Sequence, residues 1–158
     1  MTHQEEQYAH FWHCINDLNK ALSLLQAVKI NMDNPLRAPA FELALIVYSK
    51  PYKQSNGITT KKHKHKLDDK CVPDKHRDLH NRILTNRDKM HAHTDLILRE
   101  PKVHVENTSK IVGLSENIID VTAEFRNIDS IIELIEQSLD GMYEEEKKLA
   151  AALPTNMP

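Results

Sequence analysis

Within nine residues, Arg87-Asp88-Lys89-Met90-His91-Ala92-His93-Thr94-Asp95 gathers an arginine, two carboxylates, a lysine and two histidines. Those side chains suit cleavage of RNA by the strand's own 2′-hydroxyl. That reaction needs a group that moves a proton near neutral pH, and a histidine with an ordinary pKa of about 6.5 is the natural choice, here His93. It also needs a fixed cation on the phosphate as negative charge accumulates, which the planar fork of Arg87 supplies. Asp88 is placed to orient Arg87, and Lys89 to hold a neighbouring phosphate. No metal and no cofactor are implied, because the nucleophile is already part of the substrate. The bland alternative is a charged, solvated helix face, with His93 favoured near a helix C-terminus by the dipole.

On a continuous helix Arg87 and His93 stand about 120° apart around the axis, whereas Arg87 and His91 share a face. The two motif ends therefore converge better if the helix frays or ends between them. A second arginine-to-histidine spacing, Arg99 to His104, is set aside because Pro101 interrupts its helical context.

The fuller nine-residue pattern resembles the signature of the HEPN superfamily, in the form carried by its abortive-infection branch. Phe41 through Tyr52 is similar to the second helix of that branch, which ends in a proline-bearing turn. The resemblance implies an all-α, HEPN-like bundle with two long antiparallel helices and shorter ones. It also implies a homodimer in which two copies of the motif meet at a composite site. Arg87, Asp88 and His93 then take the catalytic positions of a metal-independent endoribonuclease, a toxin or phage-defence effector held silent by an antitoxin protein. A catalytically silent module binding nucleotide, RNA or protein is the alternative. Beside Lys89, His91 is an additional titratable group at a position the family leaves variable.

Other constellations are weaker. Lys61-Lys62-His63-Lys64-His65-Lys66 suits a phosphate backbone, so Lys61, Lys62, Lys64 and Lys66 join the candidate RNA-binding residues. His76 and His80 are spaced to chelate from one helix face with Cys71 as a third ligand, but there is no paired CxxC and no HExxH. The lysines around His63 and His65 would repel a cation, and solvated histidines are the simpler reading. With three glycines the chain has no phosphate-cradling glycine loop.

The elements that must position these residues are legible in part. Phe11, Cys14, Ile15, Leu18, Leu22, Leu25 and Val28 predict a helix over 4–31, stopped by Asn31 through Pro35. A second, nearly all-apolar helix runs from Ala38-Pro39 and ends at Pro51. Residues 51–73 read as an exposed basic loop, and a third helix carrying the motif starts at Pro73-Asp74. Residues 94–114 fit either short extended pieces or an apolar-anchored loop. From Ser115 as N-cap, the stripe Ile118, Val121, Phe125, Ile128, Ile132, Ile135, Leu139 and Met142 predicts a long last helix. Asp140-Gly141 is a possible kink in it.

Composition bounds the rest. The 158 residues, 40% hydrophobic and 28% charged, suit one domain over 1–154 with a short tail at 155–158. Two isolated cysteines, a polar acidic start and no long apolar run predict a cytoplasmic protein that does not enter a membrane. The formal charge of −2 conceals a division: residues 50–110 carry 15 Lys/Arg against 8 Asp/Glu, and residues 111–158 carry 3 against 10. The basic middle segment, which holds the motif and seven of the ten histidines, is the part suited to a polyanion.

Overall fold

The computed structural model describes residues 1–31, 33–59, 64–91, 102–106, 111–115 and 121–154, with residues 89–91, 105, 106, 111, 114, 121 and 122 described by backbone only. Among these the chain is mostly helical, with two small hairpins: α1 (His3–Ile30), α2 (Arg37–Ser49), β1 (Ser55–Asn56), β2 (Lys64–His65), α3 (Arg77–His91), β3 (Lys102–Glu106), β4 (Ile111–Ser115) and α4 (Ile128–Ala151). The expectation of an all-α chain is corrected by the hairpins. In β3–β4, Lys102 to Glu106 run antiparallel to Ser115 to Ile111, the extended alternative for that part of 94–114.

Helix α1 begins with a capping box, in which Thr2 Oγ1 accepts the Glu5 N–H while the Thr2 N–H reaches Glu5 Oε2. It ends where Asn31 donates both its backbone and its side-chain N–H to Ala27 O. Phe11, Cys14, Ile15, Leu18, Ala21, Leu25 and Val28 are buried along one stripe. At roughly 1.5–3 kcal/mol for each large apolar side chain, that stripe outweighs any exposed ion pair, which contributes at most about 1 kcal/mol. Helix α4 lies antiparallel on α1: Tyr8 donates to Glu146 (2.6 Å), Asn19 meets Tyr143 (2.9 Å) and Lys29 pairs with Asp129 (2.5 Å).

Helix α2 is central. It packs against α1, α3 and the 3₁₀ turn Val121–Asn127, and it buries Phe41, Ala44, Leu45, Val47 and Tyr48. Pro51 does not end the helical path at once, because a 3₁₀ turn, Lys50–Tyr52, continues it and buries Tyr52.

The last helix starts later than the stripe from Ser115 predicts. Ser115 closes β4, and α4 begins at Ile128. The preceding 3₁₀ turn stacks Phe125 on Phe41 with ring centroids 4.1 Å apart. The same turn carries the Glu124 carboxylate inward, where Arg82 Nε (3.0 Å) and Asn127 Nδ2 (2.6 Å) satisfy it. The core phase also shifts, since Ile131 and Leu134 are fully buried while Ile128 and Ile132 only flank the core. A serine occupies one core position because Ser138 Oγ donates to Leu134 O at 2.7 Å. Gly141 does not interrupt the helix; it lies inside α4, facing Cys71.

The described part of residues 51–73 is more structured than an exposed loop. Besides β1–β2, a 3₁₀ turn forms at Asp69–Cys71, Leu67 and Val72 are buried, and Leu67 N–H donates to Pro51 O. The anchor is Glu6, a buried carboxylate on α1 that accepts the N–H groups of Ile58 and Thr59 and faces His65 Nε2 at 3.3 Å. Among the described residues no helix is long and apolar enough to cross a membrane.

Candidate functional site

Helix α3 follows a 3₁₀ turn at Asp74–His76 that begins after Pro73. Leu79 and Ile83 bury its inner face, and Leu84 is half-buried beside them. Arg87 sits near the end of the described helix, where its Nη1 donates to Asp88 Oδ1 at 3.2 Å. Lys53, one residue beyond the 3₁₀ turn that follows α2, donates to the other carboxylate oxygen, Oδ2, at 2.6 Å. Asp88 thus stands between two cations from distant parts of the chain. Burial acts to raise its carboxyl pKa, but hydrogen bonds and charge from Lys53 and Arg87 outweigh it and hold Asp88 below its ordinary value. The Arg87 side chain is 23% exposed, and its Nε is buried with no hydrogen-bond partner among the described residues.

The other sequence-predicted residues divide as follows. Lys89 and His91 lie on α3, described by backbone only, while His93, Lys61 and Lys62 lie outside the described residues. Lys64 is exposed on β2, and Lys66 is exposed just beyond it. Arg87 and Asp88 are therefore brought together, and the described end of the lysine segment, Lys64–Lys66, is held to α1 where His65 meets Glu6. Lys53 was not anticipated as part of this arrangement; nothing in the local pattern of Tyr52-Lys53-Gln54 separates it from other exposed lysines.

The two histidines considered for metal, His76 in the 3₁₀ turn before α3 and His80 on α3, have other partners. His76 Nε2 meets Glu133 Oε2 at 3.1 Å, and Nδ1 of His80 meets the Tyr48 hydroxyl at 2.7 Å. Both rings are buried rather than solvated. Among the described residues no three His, Cys, Asp or Glu side chains come together to hold a metal ion. Burial pushes the His80 pKa below its ordinary value, opposed by the charge of Asp69, so the ring is neutral at neutral pH.

Two cavities flank the Lys66-Leu67-Asp68 segment, which forms a wall of each. One, of about 350 Å³, is bordered by His10, His65, Lys64 and Lys70. The other, of about 480 Å³, lies between this segment and α3, with Tyr52, His80, Asn81 and Leu84 among its walls. Both fall within the size range of small-molecule sites, about 300–1,000 Å³. Compared with known protein families, with curated proteins and with solved structures, the chain finds no match.

Proposed function

We propose that this protein is a metal-independent endoribonuclease of HEPN type, acting as a homodimer. The observation that supports it most is the Lys53–Asp88–Arg87 arrangement, which holds a half-buried arginine of the sequence motif on α3 in a charged row. In the proposed reaction the 2′-hydroxyl oxygen attacks the adjacent phosphorus, and His93 takes its proton. The bond from phosphorus to the 5′-oxygen breaks, and that oxygen leaves with a proton supplied by a histidine. The products are a 2′,3′-cyclic phosphate and a 5′-hydroxyl. Arg87 stabilises the negative charge on the phosphorane, Asp88 orients Arg87, and Lys89, His91 and the lysine segment Lys61–Lys66 hold the strand. In a cell such an activity is that of a toxin or phage-defence effector, kept silent by an antitoxin.

The test is RNA cleavage in EDTA by the wild type, Arg87→Ala and His93→Ala, with the product ends identified. Cyclic phosphate ends lost in both variants support the reading; an inert wild type on varied RNAs, or activity abolished by EDTA, overturns it. A second reading, a silent module that binds RNA or nucleotide, draws on the same geometry, because Asp88 already offsets part of the Arg87 charge. It is distinguished by RNA binding without cleavage. Sedimentation at micromolar concentration tests the dimer.

A further inference from the structure

We propose that the 480 Å³ cavity between α3 and the Lys66–Asp69 segment is a nucleobase pocket that prefers guanine, next to the Arg87 site. It is walled by Tyr52, His80, Asn81, Leu84, Lys66 and the neighbouring Asp68-Asp69 pair. This rests on the reading of α3 as the RNA-facing element.

The location ties the cavity to the motif. Taking His80 as the origin, Leu84, Arg87 and His91 fall at about +40°, −20° and +20° around the α3 axis, one stripe. His80 and Arg87 are about 10 Å apart along that axis, a reach that a base in the cavity and its neighbouring phosphodiester cover. The Tyr52 side that faces α3 is in turn adjacent to Lys53, which holds Asp88.

The polarity of the cavity selects a base over a phosphate. Most of its exposed lining is polar, but its buried wall carries no charge: Tyr52 and His80 meet edge to face with centroids 4.6 Å apart, both buried, and Leu67 and Leu84 adjoin them. One nitrogen of His80 is taken by Tyr48, and the ring is held neutral by burial, so it offers no cation to an anion. The cation is Lys66, which is exposed. The acceptors are carboxylates, each with only one oxygen engaged by a described donor: Asp68 Oδ1 by the Lys70 N–H, and Asp69 Oδ2 by Arg77. An ionised carboxylate accepts and cannot donate. Among the bases, guanine presents a ring N–H beside an amino group, a pair of donors that such an acceptor matches, while the Asn81 amide pairs with either polarity.

The experiment is calorimetric titration of the full chain with GMP, AMP, CMP, UMP and inorganic phosphate separately, repeated with Asn81→Ala and Leu84→Trp. The pocket predicts binding of GMP at least tenfold tighter than the other nucleotides and phosphate, weakened about fivefold or more by Asn81→Ala and lost in Leu84→Trp. Because Leu84 is half-buried, Asn81→Ala, at an exposed position, keeps the test valid if the tryptophan variant does not fold. No GMP binding, equal binding of AMP or phosphate, or GMP binding untouched by Asn81→Ala overturns the proposal. A chain that binds GMP as predicted yet never cleaves RNA overturns the nuclease reading and leaves the pocket standing.

Discussion

The Tyr48 hydroxyl and Nδ1 of His80 meet at 2.7 Å in the core, joining α2 to α3. Both residues are almost completely buried, and burial keeps the phenol protonated far above its ordinary range and the imidazole neutral. Removing one partner leaves the other desolvated and unsatisfied, at about 1–3 kcal/mol. Tyr48→Phe should therefore lower the melting temperature by roughly 2–12 °C for a chain of this size, at about 2–4 °C per kcal/mol. A thermal melt checks this; a Tm unchanged within a degree refutes the importance of the pair.

Acid should destabilise the fold in two windows. His10 and His80 have folded pKa values pushed below the ordinary 6.5, in each case chiefly by burial. The unfolded chain then binds more protons than the folded one as pH falls below about 6.5, so stability present above that value declines beneath it. Glu6 is held down to about 2, first by the Thr59 side chain, with burial opposing and the Ile58 and Thr59 N–H groups and His65 assisting. Its contribution is complete above the ordinary 4.5 and is lost as pH falls toward 2. Urea midpoints measured from pH 8 to pH 2.5 should show both declines, and Glu6→Gln should flatten the lower one. In the same variant, amide exchange at Ile58 and Thr59 should quicken while the α1–α4 core stays protected.

What the sequence disclosed follows from where the determinants are local. The α1 stripe from Phe11 to Val28 and the stop at Asn31 are set by periodicity and capping within the helix, and the structure agrees to one residue at each end. The α4 start was not legible, because it depends on Phe125 finding Phe41 and Glu124 finding Arg82, partners more than 40 residues away. The same holds for β1–β2, whose two-residue strands carry no alternation and are fixed by Glu6, more than 50 residues upstream. At the candidate site the motif pointed to Arg87 and Asp88, but Lys53 and the neutral, buried state of His80 come from tertiary packing alone.

Gly141 offers a test of how α4 meets the Asp69–Cys71 turn. A Cβ at this position would lie 3.4 Å from Cys71 Cβ and 3.5 Å from Sγ, at the near edge of ordinary contact. The position is inside a helix, where alanine is favoured over glycine by about 0.8–1.0 kcal/mol. Gly141→Ala should therefore stabilise the protein by about 0.5–1 kcal/mol, whereas Gly141→Leu should destabilise it by driving a larger side chain into Cys71. Equilibrium unfolding in urea separates the two signs, and a less stable alanine variant would show that the contact is already too tight.

Lys53 and Asp88 form an exposed pair, with side chains 34% and 53% exposed, so at 2.6 Å its expected contribution to stability is still below about 1 kcal/mol. Its effect should instead fall on Arg87. With Lys53 gone, Asp88 loses one of its two cations, its carboxyl rises toward the ordinary value, and its remaining charge is directed wholly at the Arg87 guanidinium. Arg87 then offers less positive charge to a phosphate. Lys53→Met, which keeps the apolar stem, should leave the urea midpoint nearly unchanged while lowering the proposed RNA cleavage about tenfold, with the loss in kcat rather than in KM. Lys53→Arg should restore much of it, since a guanidinium can hold the same carboxylate. Equal activity in the methionine variant would show that Lys53 is merely a surface contact, and a large loss of stability would show that it is structural.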